Sequence, residues 1–296
     1  MKIYLNENRG SHNIAHFLMN MCIPIYVAME REKVFGKNPT IIIGKNNRYN
    51  KEIILPEVLD LFTNNISYVD SDKRIKDGKI VVVKDGKTIT HPGKLQYDYC
   101  KKLSKFILKG FKIKTPPKQT YILLVDRTGP SSLYERSIVN KEELHEGLKE
   151  IGIPVRRIQF GTISFEEQLK LVQGAKILIS NHGASLTNML FLQPGAGAIE
   201  ILPYGWTYRR YAKIAPSKGM GIKYLFWRNE DKSKSIINYP THFDTSILPL
   251  NDPSIIRNKD KTGVEYEKAV AIKNYYQHQS TIVDVKAIKE LAEKLL

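Results

Sequence analysis

Between residues 121 and 227, short apolar runs alternate with stretches of helical periodicity, a pattern that leaves little choice but a parallel sheet. Tyr121-Ile122-Leu123-Leu124-Val125 is continuously apolar, the mark of a strand buried on both faces. Asn140 then opens a helix with Glu143 at capping-box spacing, Leu144, Leu148 and Ile151 as its buried stripe, and Gly152 at its end. Val155 to Phe160 reads as the next strand. Ser164-Phe165-Glu166-Glu167 is a second capping box, followed by Leu169 and Val172 on one face and Gly174 as the stop. Ile177 to Ile179, a helix from Ser185, Ala198 to Leu202 and Ile222 to Trp227 continue the alternation. Parallel strands joined this way collect ligands at their carboxyl ends, and Arg127, His182 and Glu200 all fall at or near such ends.

The stretch Ala175 to Asn188 carries the most chemistry. It predicts a buried strand, a tight polar turn and a helix start, where unpartnered backbone N–H groups and partial positive charge suit a phosphate. Gly183 lets the backbone approach a ligand closely, and His182 and Ser185 can add side-chain donors. A plain βα loop with a capped helix has the same signature. Downstream, Phe191-Leu192-Gln193-Pro194-Gly195 precedes an apolar run holding one acid, Glu200, placed either to take ribose hydroxyls or as an edge charge.

The ordered series Asn181-His182-Gly183-Ala184-Ser185-Leu186-Thr187-Asn188, Phe191, Pro194-Gly195 and Glu200 resembles the core of glycosyltransferase family 61. That family includes plant xylosyltransferases and arabinosyltransferases and animal enzymes that add N-acetylglucosamine to proteins. The resemblance covers residues 120 to 227 well and the N-terminal part weakly. It implies an α/β, GT-B-like fold, with two Rossmann-like domains facing a cleft, and inverting transfer from a UDP-sugar, xylose favoured, to a hydroxyl of a glycan or glycoprotein. By resemblance Arg127 contacts the donor diphosphate, for which its planar fork is suited, and Arg136 is a second anion contact. Pairing of Arg127 with Asp126, and a surface salt bridge at Arg136, are the structural alternatives. His182, Gly183, Ala184, Ser185, Asn188 and Glu200 complete the implied donor-binding set, and Gln168 also matches the family. His16-Phe17 is similar to a histidine-aromatic pair on the family's acceptor side; where many members carry an acid one helical turn later, this chain has Asn20. Candidate bases are therefore His16, whose imidazole titrates near neutrality, and Asp70 and Asp72, which follow the strand-like Ile66 to Val69. Preorganised donors can meet the leaving-group charge, so no cofactor and no metal are expected.

The rest of the chain frames these readings. A domain boundary is expected at residues 112/113, where Thr115-Pro116-Pro117 disfavours helix, giving an acceptor-side domain over 1–112 and a donor domain over 113–296. The first is read as α/β, with a strand at residues 1–5, a helix from Asn13 kinked at Pro24, a strand at Thr40 to Ile43, and Ile80 to Lys84 entering a hairpin at Asp85-Gly86. Val285, Ile288, Leu291, Ala292 and Leu295 mark a last amphipathic helix, which in GT-B folds often returns to the first domain. Tyr204 and Trp206 are candidates to stack on base or sugar. Cys22 and Cys100 offer neither a disulfide framework nor a metal pattern. No stretch has the length of a membrane span, and the first strand begins without a signal peptide's apolar region, so the expectation is a cytoplasmic enzyme or a form whose anchor was removed, the cytoplasmic location being favoured. The net charge of +16 fits any polyanion. It motivates a rival reading as a nucleic-acid-binding protein, although no such motif accompanies it. Asn20 motivates another, a family member that binds donor without turnover.

Overall fold

The computed structural model describes residues 2–5, 13–45, 54–70, 80–83, 94–116, 118–127, 136–206, 211–237 and 275–296. Contacts divide the chain into two compact units: Met1–Lys114 with Lys213–Gly221, and Thr115–Ala212 with Ile222–Leu296. Residues 213–221, which the sequence boundary gave to the second domain, thus group with the first.

The first unit holds a four-stranded parallel sheet of β1 (Lys2–Leu5), β2 (Thr40–Lys45), β3 (Ile66–Asp70) and β4 (Ile80–Val83), in the order β3-β2-β1-β4. β4 pairs in parallel with β1 at the edge of the sheet, and the hairpin expected at Asp85-Gly86 lies outside the described residues. After β1 the chain forms a short helix α1 (Ile14–His16), capped by the Asn13 side chain on the Ala15 N–H. It then widens into one π-helical stretch, Phe17–Cys22, and resumes as α2 (Ile23–Arg31) with Pro24 in its first turn. Pro24 has no N–H to donate, and the widened turn restarts the helix around it. α3 (Pro56–Asp60) and α4 (Lys94–Gly110) complete the unit; α4 buries Cys100, Leu103 and Ile107 at helical spacing.

The second unit is a five-stranded, all-parallel sheet. Its strands are β5 (Tyr121–Asp126), β6 (Val155–Gln159), β7 (Ala175–Asn181), β8 (Gly197–Leu202) and β9 (Lys223–Arg228), in the order β6-β5-β7-β8-β9. α5 (Lys141–Lys149) and α6 (Phe165–Gly174) are the helices of the first two crossovers. At α6 the capping box is complete: the Glu167 N–H donates to Ser164 Oγ at 3.2 Å, and the Ser164 N–H donates to the Glu167 carboxylate at 2.9 Å. At α5 it is not. Asn140 spends its side chain on the backbone of Val283, accepting from its N–H at 2.8 Å and donating to its carbonyl at 3.0 Å. A two-stranded antiparallel sheet, β10 (Ser235–Ile237) and β11 (Gln279–Thr281), lies beside Ile138 through a bridge to Thr281. The last helix, α7 (Val285–Glu293), packs on α5 and β9. Ile288, Ala292 and Leu295 join Ile122, Leu124, Ile177, Ile179, Ile199 and Ile201 in one core, so the apolar stripe expected to return to the first domain is consumed within the second unit.

This strand order decides where a site can form. From β5 the chain steps to β6 on one side, then crosses back to β7 on the other. The connections to either side leave a crevice at the carboxyl ends of β5 and β7, the topological switch point where doubly wound sheets bind ligands. Arg127 follows one of those ends and His182-Gly183 the other.

Candidate functional site

The site is built from the ends of β5 and β7. Asp126, the last residue of β5, accepts a salt bridge from Lys141 at 3.2 Å. Among the described residues no ion pair joins it to Arg127, so the Asp126 alternative for Arg127 does not hold. The Arg127 guanidinium runs inward instead: Nη1 is buried and meets no hydrogen-bond acceptor among the described residues. Burial pulls its pKa below the ordinary arginine value, and nearby Tyr211 offsets part of that. A buried charged donor without an acceptor costs at least about 1–3 kcal/mol, a debt that an anion would cancel.

Arg136 reaches the same place from the other side. Its Nη1 donates to the His182 carbonyl at 3.4 Å, while the Asn181 amide donates to the Arg136 carbonyl at 2.9 Å, a reciprocal clasp between this arginine and the end of β7. Gly183 is where the two cations converge. A Cβ at that position would lie 1.9 Å from Arg127 Nη1 and 3.6 Å from Arg136 Nη1. Only a residue without a side chain leaves room for the guanidinium. The chain then enters a 3-10 helix, Ala184–Phe191, rather than the expected α-helix. Its first turn closes with the Leu186 N–H on the Gly183 carbonyl at 3.0 Å, and the Asn188 side chain takes the Ser185 carbonyl at 3.2 Å, competing with α-helical pairing. Ala184 and Ser185 are half-buried and sit where the first helical N–H groups have no intrahelical acceptor. Asn188 is buried; its amide also leans on Gln168, whose own amide donates to the Phe160 carbonyl at 2.9 Å. Gln168 thus holds two loops together.

Glu200 does not face the surface. It is wholly buried in β8, one carboxylate oxygen lies 2.5 Å from His182 Nδ1, and the other accepts from the Tyr224 hydroxyl. With both oxygens engaged inside the unit, the ribose role expected from the sequence is not available to it. It acts on the site through His182, whose ring is itself only 3% exposed and packs against Trp206 and Tyr211 at centroid distances of 5.1 and 5.5 Å. Trp206 belongs to a core cluster with Leu202, Tyr275 and Tyr276, which removes it as a stacking platform. The structure therefore brings together Arg127, Arg136, His182, Gly183, Ala184, Ser185, Asn188 and Glu200, and adds Asn181, Tyr211 and Tyr224. Tyr224 had no signal in the sequence, because its meeting with Glu200 depends on the β8–β9 register.

The remaining candidates lie in the first unit. His16 ends α1, half-buried, with Nδ1 3.0 Å from the amide nitrogen of Asn20, one turn on in the buried π-helical stretch. Asp70 closes β3 opposite Lys45; its side chain, and all of Asp72, lie outside the described residues. Asp70-Ser71-Asp72 is an aspartate-any-aspartate triplet, which the expectation of metal independence leaves out of account. Among the described residues no group of three or more His, Cys, Asp or Glu is placed to hold a metal ion. Nor is any described helix long and apolar enough to cross a membrane.

Comparison with known proteins bears on this site directly. The family described as Glycosyltransferase 61 matches residues 14–199, a span that runs from the His16 helix through the Gly183 turn. Among curated proteins, the chain is similar to protein O-linked-mannose beta-1,4-N-acetylglucosaminyltransferase 2 of several vertebrates. It is 28% identical to that of Takifugu rubripes over 195 residues, covering 60% of this chain and 30% of the relative. It is 32% identical to that of Xenopus laevis over 126 residues, 41% and 21%, and 34% identical to that of Pan troglodytes over 118 residues, 38% and 20%. The matched part thus spans between a fifth and a third of each relative's length. Since the family match covers well over half of the 296 residues, the chain belongs to glycosyltransferase family 61.

Proposed function

We propose that this chain is an inverting glycosyltransferase whose two units form a GT-B arrangement, with a UDP-sugar held mainly by the second unit and a glycan hydroxyl as acceptor. The observation that carries the reading is the convergence of Arg127 and Arg136 on the Gly183 turn at the switch point, with a buried guanidinium nitrogen awaiting an acceptor. In the reaction the acceptor oxygen bonds to the sugar C1 from the face opposite the diphosphate as the C1–O bond to phosphate breaks. The charge that develops on UDP is met by the two guanidinium groups and the first N–H groups of the 3-10 helix, donors already oriented before reaction. Glu200, with Tyr224, orients His182 within this cradle.

The acceptor proton goes to His16 or to Asp70 or Asp72. An Asn20 amide nitrogen donating to Nδ1 leaves the neutral ring's proton on Nε2, so His16 serves as base only when Asn20 presents its oxygen. His16→Ala, Asp70→Asn and Asp72→Asn, compared by kcat with the donor saturating, identify the base as the variant that loses turnover and keeps UDP binding. The relatives are named for N-acetylglucosamine transfer, which favours UDP-N-acetylglucosamine as donor over the UDP-xylose expected from the sequence. Excess chelator with and without added manganese tests metal independence, against which the Asp70-Ser71-Asp72 triplet is the one sequence argument.

The deciding experiment is thermal stabilisation by a panel of nucleotides and nucleotide sugars. A ligand at a hundred times its Kd adds about 2.7 kcal/mol of stability. UDP and one UDP-sugar should raise Tm, and Arg127→Ala should abolish the rise. Indifference to every uridine nucleotide, with stabilisation by oligonucleotides, would instead support the nucleic-acid reading.

A further inference from the structure

One face of the first unit carries a concentration of charge that the proposed transfer does not use. Residues 30–38 and 99–114 together hold nine basic and two acidic residues, with no acid at all in the second segment. The structure places the two segments side by side: Lys102 pairs with Glu30 at 2.8 Å, and Phe35, beyond the end of α2, stacks on Phe106 of α4 at 5.5 Å and on Tyr26 at 4.9 Å. Lys102, Lys105 and Lys109 follow one another at helical spacing on the face of α4 opposite its buried residues, and all three are exposed. Arg31, Lys33, Lys37, Lys112 and Lys114 are exposed as well. Burial and, to a lesser degree, the adjacent Lys105 charge hold the Lys101 ammonium below its ordinary pKa.

Two features distinguish this face from scattered surface charge. First, α2 and α4 end in the same motif. Val34 N–H reaches back to the Met29 carbonyl and Ile113 N–H to the Leu108 carbonyl, at 3.1 and 2.9 Å, with a left-handed residue before each. Those residues are Lys33 at φ 55° and Lys112 at φ 53°, where glycine is the usual choice and a side chain costs free energy. Attraction to the helix carboxyl ends offsets part of that cost. Second, Phe35 is a large apolar residue left 36% exposed, and Lys33 and Lys37, both exposed, flank it in sequence.

We infer that this face docks the protein on an anionic membrane surface, the cations meeting lipid phosphates diffusely while Phe35 enters the headgroup layer. Eight of the nine basic residues are lysine, a hydrated point charge suited to a diffuse anionic layer, whereas arginine would favour fixed bidentate phosphate contacts. The inference does not rest on the transferase reading.

The test is co-sedimentation of the full chain with vesicles of phosphatidylcholine alone, and of two parts phosphatidylcholine to one part phosphatidylglycerol. Binding should require the anionic lipid and weaken as salt shortens the screening length. Each lysine removed should weaken binding about fivefold, so the combined variant Lys33→Gln, Lys37→Gln, Lys105→Gln, Lys109→Gln should lose at least about a hundredfold. A control of equal charge loss in the second unit, Lys149→Gln, Lys170→Gln, Lys232→Gln, Lys294→Gln, should keep most of its binding. Phe35→Ser should weaken binding several-fold without altering the salt dependence. Equal losses in the two lysine variants would overturn the inference, since net charge alone would then explain the binding. So would tight binding to heparin or RNA without binding to the anionic vesicles, or binding indifferent to Phe35→Ser.

Discussion

Gly183→Ala tests the geometry of the site with a single methyl group. The added Cβ would stand 1.9 Å from Arg127 Nη1 and 3.2 Å from its Cζ. An ordinary contact between such atoms is about 3.5 Å, so the guanidinium must retreat by about 1.6 Å. The backbone objects as well, because Gly183 sits at φ 159° and ψ −175°, a conformation that residues with a side chain rarely adopt. The cost therefore falls on both the arginine and the fold: the backbone term of about 1–3 kcal/mol should lower Tm by about 2–10 °C in a unit of this size. UDP binding loses the displaced charge-assisted hydrogen bonds, worth about 1.5–3 kcal/mol, which is roughly a 10- to 150-fold rise in Kd by calorimetric titration. Because the methyl acts through Arg127, the effects should not add: in an Arg127→Ala background, Gly183→Ala should change Kd by less than about twofold. If the full loss persists in that background, Gly183 is needed for something other than room for Arg127, and the argument from convergence fails.

Three further predictions follow from the buried contacts. Tyr224→Phe leaves one Glu200 oxygen without its donor, costing about 1–3 kcal/mol in thermal or denaturant unfolding; the same change in a Glu200→Gln background should cost clearly less, since no buried charge is then abandoned. Asn140→Ala removes both hydrogen bonds to the Val283 backbone, with an expected loss of about 1–3 kcal/mol, whereas Asn140→Asp keeps the acceptor for the Val283 N–H and should recover part of it. Burial raises the Cys100 thiol from 9.0 to about 12, with a partial offset from Ser217. The fold favours the neutral thiol, so that stability is intact below about pH 9 and is lost as pH rises toward 12, up to about 4 kcal/mol in all. Denaturant midpoints measured between pH 8 and 11 should fall less steeply for Cys100→Ala than for the parent.

Much of this molecule could be read from local pattern. The strand–helix alternation, the Ser164–Glu167 capping box and the placement of Arg127 and His182 at strand ends all depend on residues close in sequence, where periodicity and cap chemistry speak directly. What could not be read depends on register or on distant partners. Glu200 looks like a strand-end acid until the β8–β9 register, which sets Phe226 opposite it, brings Tyr224, two residues away, within reach of its buried carboxylate. Asn140 looks like a helix cap until Val283, 143 residues away, claims its side chain. The apolar run of β4 marks a strand but says nothing about its parallel pairing with β1, whose sequence lies far upstream. After Gly183 the chain takes 3-10 geometry with the Asn188 amide on the Ser185 carbonyl, a pairing that a helix-forming composition conceals.

The last helix has a consequence for synthesis. α7 covers the sheet of the second unit, and Leu295 fills the space that Gly197 leaves by lacking a side chain. β8 is complete at residue 202, but its cover does not begin until residue 285. On the ribosome, then, the central strands emerge with one apolar face bare and wait for the intervening chain before they can close. Contacts of such sequence separation fold slowly and leave partly built states open to aggregation, so the second unit should depend on chaperones far more than its finished core suggests.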